Sequence, residues 1–327
     1  MDFGLVFKVS PINPSLSHCP RLLYVNATPS RPLATFGAVV AGGFMAVQAR
    51  VNSGLAAEID SGYLAAFISF AIGLGLISMA SLPRRKFRAD LRRAVELAKE
   101  GSFPAWMLAS GALGGFFVLT QGLVAGVTGI ALFSLGVVTG QTVSALLIDG
   151  RGLFGLEKRA LSSNRLLGSL LALAGLMLAS DPSISGIQLV LFVPLVAGFG
   201  IGLQDAINSR VGRSTGSAAV ATFFNFLAGT LFLLIVLVFS GIPDANLTAV
   251  NPTLYIGGLV GVSFILIRVL VLPVIGSLAT GLSLLTGQIF VSLALDFLVP
   301  VTLREITAWT FAGLLLVFAG AALASRR

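Results

Sequence analysis

From Leu33 onward, apolar residues gather into ten blocks, at 33 to 56, 62 to 82, 104 to 124, 128 to 148, 163 to 180, 187 to 208, 217 to 240, 252 to 271, 276 to 297 and 306 to 325. Charges, prolines, glycines or small polar clusters end each block. Most approach the roughly 20 residues that a helix needs to cross the hydrocarbon core. A helix also satisfies its own backbone polar groups, which lipid cannot do. The pattern predicts an all-α membrane protein with ten transmembrane helices.

Two stretches break the rhythm. Residues 83 to 101 carry Arg84, Arg85, Lys86, Arg88, Arg92, Arg93 and Lys99, with Phe87, Leu91, Val95 and Ala98 at three- and four-residue spacing. This reads as a basic amphipathic helix lying on an anionic membrane surface. Residues 1 to 32 hold a single acid, Asp2, and lack the apolar core of a secretory signal. They read as a disordered leader, with a plastid or mitochondrial transit peptide as the alternative.

Composition removes the soluble classes. Of 327 residues only 10% are charged and 56% are hydrophobic, with a mean hydropathy of +0.98, whereas about a quarter of a soluble domain is charged. A single cysteine, Cys19, and a single histidine, His18, leave no disulfide framework and no multi-cysteine metal site. No cofactor is expected. The high pI does not point to nucleic acid, because the basic residues are scattered among apolar runs.

The chain repeats itself. Gln48, Asn52, Ser61, Phe67, Phe70 and Gly73 recur 156 positions later as Gln204, Asn208, Ser217, Phe223, Phe226 and Gly229. Gly111, Gly114, Gly129, Thr139, Gly140, Gln141 and Asp149 recur 147 positions later as Gly258, Gly261, Gly276, Thr286, Gly287, Gln288 and Asp296. Gly168, Gly175 and Ser180 match Gly313, Gly320 and Ser325. The spacing thus divides the chain into two five-helix repeats, 33–182 and 183–327. Five is odd, so the second copy is expected to enter the bilayer from the opposite face, as in many secondary transporters.

Charge provides an independent check. Ten spans put both termini and the loops after spans two, four, six and eight on one side, which collects nineteen of the 21 basic residues and leaves Arg50 and Arg304 for the other. By the positive-inside rule that side is the cytosol. The loop 242–251, which matches the basic 83–101 segment in the other half, has no basic residue.

Ala41-Gly-Gly-Phe-Met-Ala-Val-Gln48-Ala-Arg-Val-Asn52, its echo Ala197-Gly-Phe-Gly-Ile-Gly-Leu-Gln204-Asp-Ala-Ile-Asn208, and the Gly-Gln to Asp blocks at 140 to 149 and 287 to 296 resemble the YdcZ family of the drug/metabolite transporter superfamily, in a fused form with two copies. The resemblance implies a bacterial inner-membrane transporter that exports small molecules, with a plastid envelope as the alternative location. It implies no substrate. Small multidrug members of the superfamily carry a Glu within their first helix, and span one here holds no acid, which argues against a proton-coupled dication site of that type.

Gln48 with Asn52, and Gln204 with Asn208, share helix faces. These amides either line a central path or bond neighbouring helices. Gln141 and Gln288 follow Thr-Gly pairs and have the same two readings. Asp205 lies roughly 9 Å past the middle of span six at 1.5 Å per residue, at nearly the depth of Arg268 in span eight, so the two are expected to pair. The pair then either neutralises two costly charges or serves as a gate or coupling site for protons or cations. Asp296 is the expected partner of Arg50. Asp149 and Asp296 end spans four and nine, as interfacial acids or gate residues. Gly111 with Gly115, and Gly257 with Gly261, form faces suited to tight helix packing, and Gly198, Gly200 and Gly202 either let span six flex or approach a ligand or, the favoured reading, serve packing.

Without a Ser/His pair, a double acid within the membrane or a phosphate-cradling loop, no enzyme is expected. A secondary-active transporter of a small polar metabolite or drug-like molecule, monomeric or homodimeric, is the first expectation. A channel or a membrane scaffold is the second.

Overall fold

A computed structural model describes residues 30–156, 158, 162–179, 187–299 and 307–325. Residues 1–29 of the leader, with Cys19 and His18, and also Arg304 lie outside them, whereas Arg31 and Pro32, which read as leader in the sequence, belong to the first helix. Among the described residues every regular element is helical.

α1 spans Arg31–Glu58 and α2 Gly62–Ser81, whose first turn is capped by the Ser61 hydroxyl accepting from the Leu64 amide. α3, Arg85–Lys99, is the basic helix. A turn at Ala105–Ala109 leads into α4, Gly111–Thr120, which continues through a π-helical turn at Gln121–Ala125 into the short α5, Gly126–Thr128. α6 runs Ile130–Arg151 and α7 Ser163–Ala179. The second half has α8, Ile187–Thr215, and α9, Ala218–Ser240, capped by Ser217 as α2 is by Ser61. α10, Gly257–Leu298, is two arms broken at Gly276, and α11 is Ala308–Ser325.

Eight of these segments are long and apolar enough to cross a membrane, with the two arms of α10, Pro252–Gly276 and Ala279–Leu298, counted separately. Two shorter apolar helices, α7 and α11 over Ala308–Gly320, pack against each other. Large apolar side chains face outward all around the bundle: Phe239 is 88% exposed and Phe297 81%. Such a surface needs an apolar solvent.

Gly276 and Gly129 hold matching backbone angles, φ 80° and 81°, a region that other residues rarely adopt. Gly129 therefore separates α5 from α6 where Gly276 separates the arms of α10. The sequence predicts two separate spans at 252–271 and 276–297, but the second begins within one turn of the first because a single glycine makes the break.

The packing is reciprocal. A Cβ on Gly42 would overlap the Leu284 backbone carbonyl, and one on Gly198 the Val137 carbonyl. Likewise Gly287 abuts Val39 as Gly140 abuts Leu195. These close approaches join α1 to the second arm of α10 and α8 to α6, so the long helices pair between equivalent positions of the two halves. α2 and α9, themselves equivalent, run antiparallel with Phe70 against Gly229 and Phe226 against Gly73. α7 and α11 also run antiparallel, Gly175 against Gly313 and Gly168 against Gly320.

The apolar face of α3 is used within the protein: Phe87 and Ala94 are buried with Val220 of α9, and the Phe87 ring meets Phe223 edge-on. Its exposed basic residues point away from that contact.

Candidate functional site

The buried polar groups form two networks and one ion pair. In the first network, Asn52 Nδ2 donates to Gln121 Oε1 at 2.6 Å and Gln48 Nε2 to the Gly257 carbonyl at 3.0 Å. In the second, Gln204 Nε2 and Asn208 Nδ2 both donate to Asn225 Oδ1, and Ser110 Oγ donates to Asn208 Oδ1 at 3.1 Å. All four predicted amides are nearly fully buried. Each crosses from α1 or α8 to a helix beside it, so in this conformation they hold helices together, and none lines the cavities described below.

Sequence reasoning overlooked two of their partners. Asn225 sits between Phe224 and Phe226 in α9, and the signal was a lone amide among aromatic residues. Gln121 opens the π turn, a local rearrangement often found at functional positions, and nothing in the sequence marks that turn beyond the Gln-Gly pair.

The ion pair joins Arg268 Nη2 to Asp205 Oδ2 between the first arm of α10 and α8. Arg268 is buried, with its Nη1 at 3.2 Å from Met45 Sδ and its guanidinium 5.9 Å from the centre of the Phe264 ring. The Asp205 side chain keeps 12% of its surface accessible. Both groups line a cavity of about 40 Å3 with Gln141, Thr142 and Gly202 on one side and Leu272, Thr280 and Leu284 on the other. Four helical segments contribute to it: α6, α8 and both arms of α10. Gln141 is the one predicted amide that reaches it.

A second cavity, open and about 970 Å3, lies beyond Arg50 and is lined by Ser53, Glu58, Asp60, Gly126, Asn251 and Val299, among others. The two cavities lie at different depths. Along α6 the smaller one takes residues 141 to 148, whereas the larger one takes Gly126 and Val127 just before that helix begins, a separation of about 20 Å at 1.5 Å per residue.

Asp296 lies close enough to Arg50 to attract it electrostatically, as expected, but the two make no direct ion-pair contact. The two carboxylate oxygens of Asp296 accept from the Ile130 amide at 2.9 Å and the Ala131 amide at 2.6 Å, capping α6. Two free N–H groups and the positive end of a helix dipole satisfy the carboxylate without a guanidinium in contact. Arg50 instead donates through Nε to the Val299 carbonyl at 2.9 Å. Asp149, predicted to be interfacial, is buried and bonded to Arg165 at 2.6 Å. Gln288 is buried at the α1 contact. Among the described residues no group of three His, Cys, Asp or Glu side chains could hold a metal ion.

An apolar belt, broken helices and buried charges between them define a multi-pass membrane protein of the transporter type. The chain belongs to the family whose model carries the description "Putative inner membrane exporter, YdcZ", which matches residues 33–178 and again 189–323. Two copies of that unit are fused in this chain. It is a family of membrane exporters rather than of enzymes. Among curated proteins no relative matches the chain.

Proposed function

We propose that this protein is a secondary-active transporter that exports a small polar molecule across a bacterial plasma membrane by alternating access between two inverted repeats. The observation that carries the reading is the antiparallel packing of equivalent helices, α2 on α9 and α7 on α11. A two-fold relation that sets equivalent membrane helices antiparallel has its axis in the membrane plane, which is the geometry of inverted repeats. In this reading α7 and α11 are spans five and ten, both termini are cytosolic, and nineteen of 21 basic residues lie on the cytosolic side or in the leader.

The two cavities then belong to opposite faces. The 970 Å3 vestibule opens outward, and the Asp205–Arg268 pair holds the small inner cavity shut. The conformation is accordingly outward-open. Rocking along the glycine-tight seams α1/α10 and α6/α8 exchanges the open end. A channel would need both ends open at once, and the Asp205–Arg268 contact favours the transporter.

The test is reciprocal accessibility. In a Cys19→Ser background, Ser53→Cys in the vestibule and Ala145→Cys in the inner cavity are labelled with an impermeant maleimide in right-side-out and inverted vesicles. Locking the outer end by a crosslink is expected to raise labelling at position 145 and abolish it at position 53. Simultaneous labelling of both, unchanged by the lock, would favour a channel and overturn the reading.

A further inference from the structure

We infer that the cavity between α6, α8 and α10 is a binding site for a compact zwitterion, whose carboxylate meets Arg268 and Gln141 and whose cationic group meets Asp205. The assignment takes its role, substrate rather than ligand, from the transporter reading above.

Charge decides first. Asp205 and Arg268 sum to zero, and among the described residues the cavity's other named walls, Gln141, Thr142, Gly202, Leu272 and Thr280, are uncharged. A monoanion or monocation entering there would leave a net charge buried within a membrane, where desolvation penalises an uncompensated ion heavily. A net-neutral ligand avoids that cost.

Unmet hydrogen bonds decide next. Arg268 uses Nη1 and Nη2, but its Nε has no partner, and neither does Gln141 Nε2. Both side chains are more than nine-tenths buried and line the same cavity. Two unpaired donors on side chains that line one cavity, one of them part of a guanidinium, are matched by an acceptor with two oxygens, and a carboxylate fits that demand through charge-assisted bonds. Asp205 lines the cavity, keeps part of its surface accessible and, when ionised, can only accept, so the complementary group is a cation with N–H donors. A neutral ligand without charges would satisfy the donors but would not compensate Asp205 once Arg268 turns away.

The pair also explains how the ligand is admitted. Asp205 and Arg268 touch directly, so each already holds the partner that the ligand would supply. A zwitterion that inserts between them exchanges one ion pair for two without altering the net charge. A volume of about 40 Å3, room for about three waters, limits the ligand to a handful of heavy atoms. The other half carries Ala49 and Gln121 at the equivalent positions, so the site exists once per chain.

The experiment is calorimetric titration of the purified full-length protein with size-matched probes: alanine and glycine betaine as zwitterions, lactate as the anion, isopropylamine as the cation and lactamide as the neutral isostere. Alanine is expected to bind at least tenfold more tightly than lactate, isopropylamine and lactamide, and more tightly than betaine, which lacks N–H donors. Asp205→Asn is expected to reverse the order of alanine and lactate by tenfold or more, and Arg268→Gln to shift preference toward isopropylamine. A merely structural pair would lower all affinities together and leave the order intact, which overturns the assignment. Where a single variant fails to fold, Gln141→Leu keeps the pair and is expected to weaken alanine and lactate at least fivefold while leaving isopropylamine unchanged. Equal loss for all three, or no zwitterion preference in the unaltered protein, also overturns it. Alanine flux in proteoliposomes separates the two proposals. Binding without flux sinks the transporter reading and leaves the site, whereas vesicle flux of the other probes without a zwitterion preference sinks the site alone.

Discussion

Arg268 and Asp205 form their ion pair in one half of a protein whose other half places Gln121 and Ala49 at the equivalent positions. The repeated frame is therefore shared, and the charged chemistry is not. Gln121 bonds Asn52 in α1, and its counterpart Arg268 reaches a position three residues earlier, to Asp205 rather than to the Asn208 that matches Asn52. A buried guanidinium requires a carboxylate, and that requirement overrides the inherited amide contact.

Removing either partner leaves an uncompensated charge. Asp205→Ala and Arg268→Ala are each expected to lower stability by about 3 to 5 kcal/mol, and the double variant by less than their sum. Thermal and denaturant unfolding in detergent give the double-mutant cycle. Additive losses would show that the two groups do not depend on each other.

Gly42 and Gly198 occupy matched seams, where a side chain would meet backbone rather than a movable neighbour. Gly42→Leu and Gly198→Leu are both expected to destabilise by about 1 to 3 kcal/mol or more. Gly75→Leu on α2, with nothing within 4 Å of its Cβ position, is the control and is expected to leave the melting temperature nearly unchanged. Unequal effects at the matched seams would argue against reciprocal packing.

Asp296 caps α6 from the opposite half. Asp296→Ala is expected to cost about 0.5 to 2 kcal/mol, the usual loss for a helix cap, and Asp296→Asn less, because it keeps one acceptor. Hydrogen exchange at the Ile130 and Ala131 amides reads the cap directly. Unchanged protection in Asp296→Ala would show that the cap does not hold that helix end.

Orientation is checked by single cysteines in a Cys19→Ser background. Asp244→Cys is expected to react with an impermeant maleimide in intact cells, and Ser102→Cys only after permeabilisation. The opposite result would reverse the assignment of the faces.

Much of this protein is legible in the sequence because lipid imposes simple rules. A segment that crosses hydrocarbon satisfies its own backbone as a helix, and each such helix must be about as long as the bilayer is thick. Hence the apolar blocks, the two copies and the basic helix at 85 to 99 could be read from composition and spacing. The Asp205–Arg268 contact was also legible, since two opposite charges at one depth have few alternatives to pairing.

The partners of the amides and of Asp296, and the packing of α3, were not. Gln48, Asn52, Gln204 and Asn208 have the same one-dimensional signature whether they face a path or another helix, and only the positions of Asn225, Gln121 and the Gly257 carbonyl decide it. Asp296 found two backbone amides freed by the turn at Gly129, groups that side-chain patterns do not reveal. The apolar face of α3 has the same spacing whether it meets lipid or α9, and Phe223 settled that choice. The sequence by itself determined that the chain is a doubled, many-helix membrane protein, because the apolar blocks follow from the solvent and the two copies from the recurring spacing. Tertiary structure decided which polar groups remain for chemistry, because every buried donor and acceptor competes for partners that only the packed helices bring within reach.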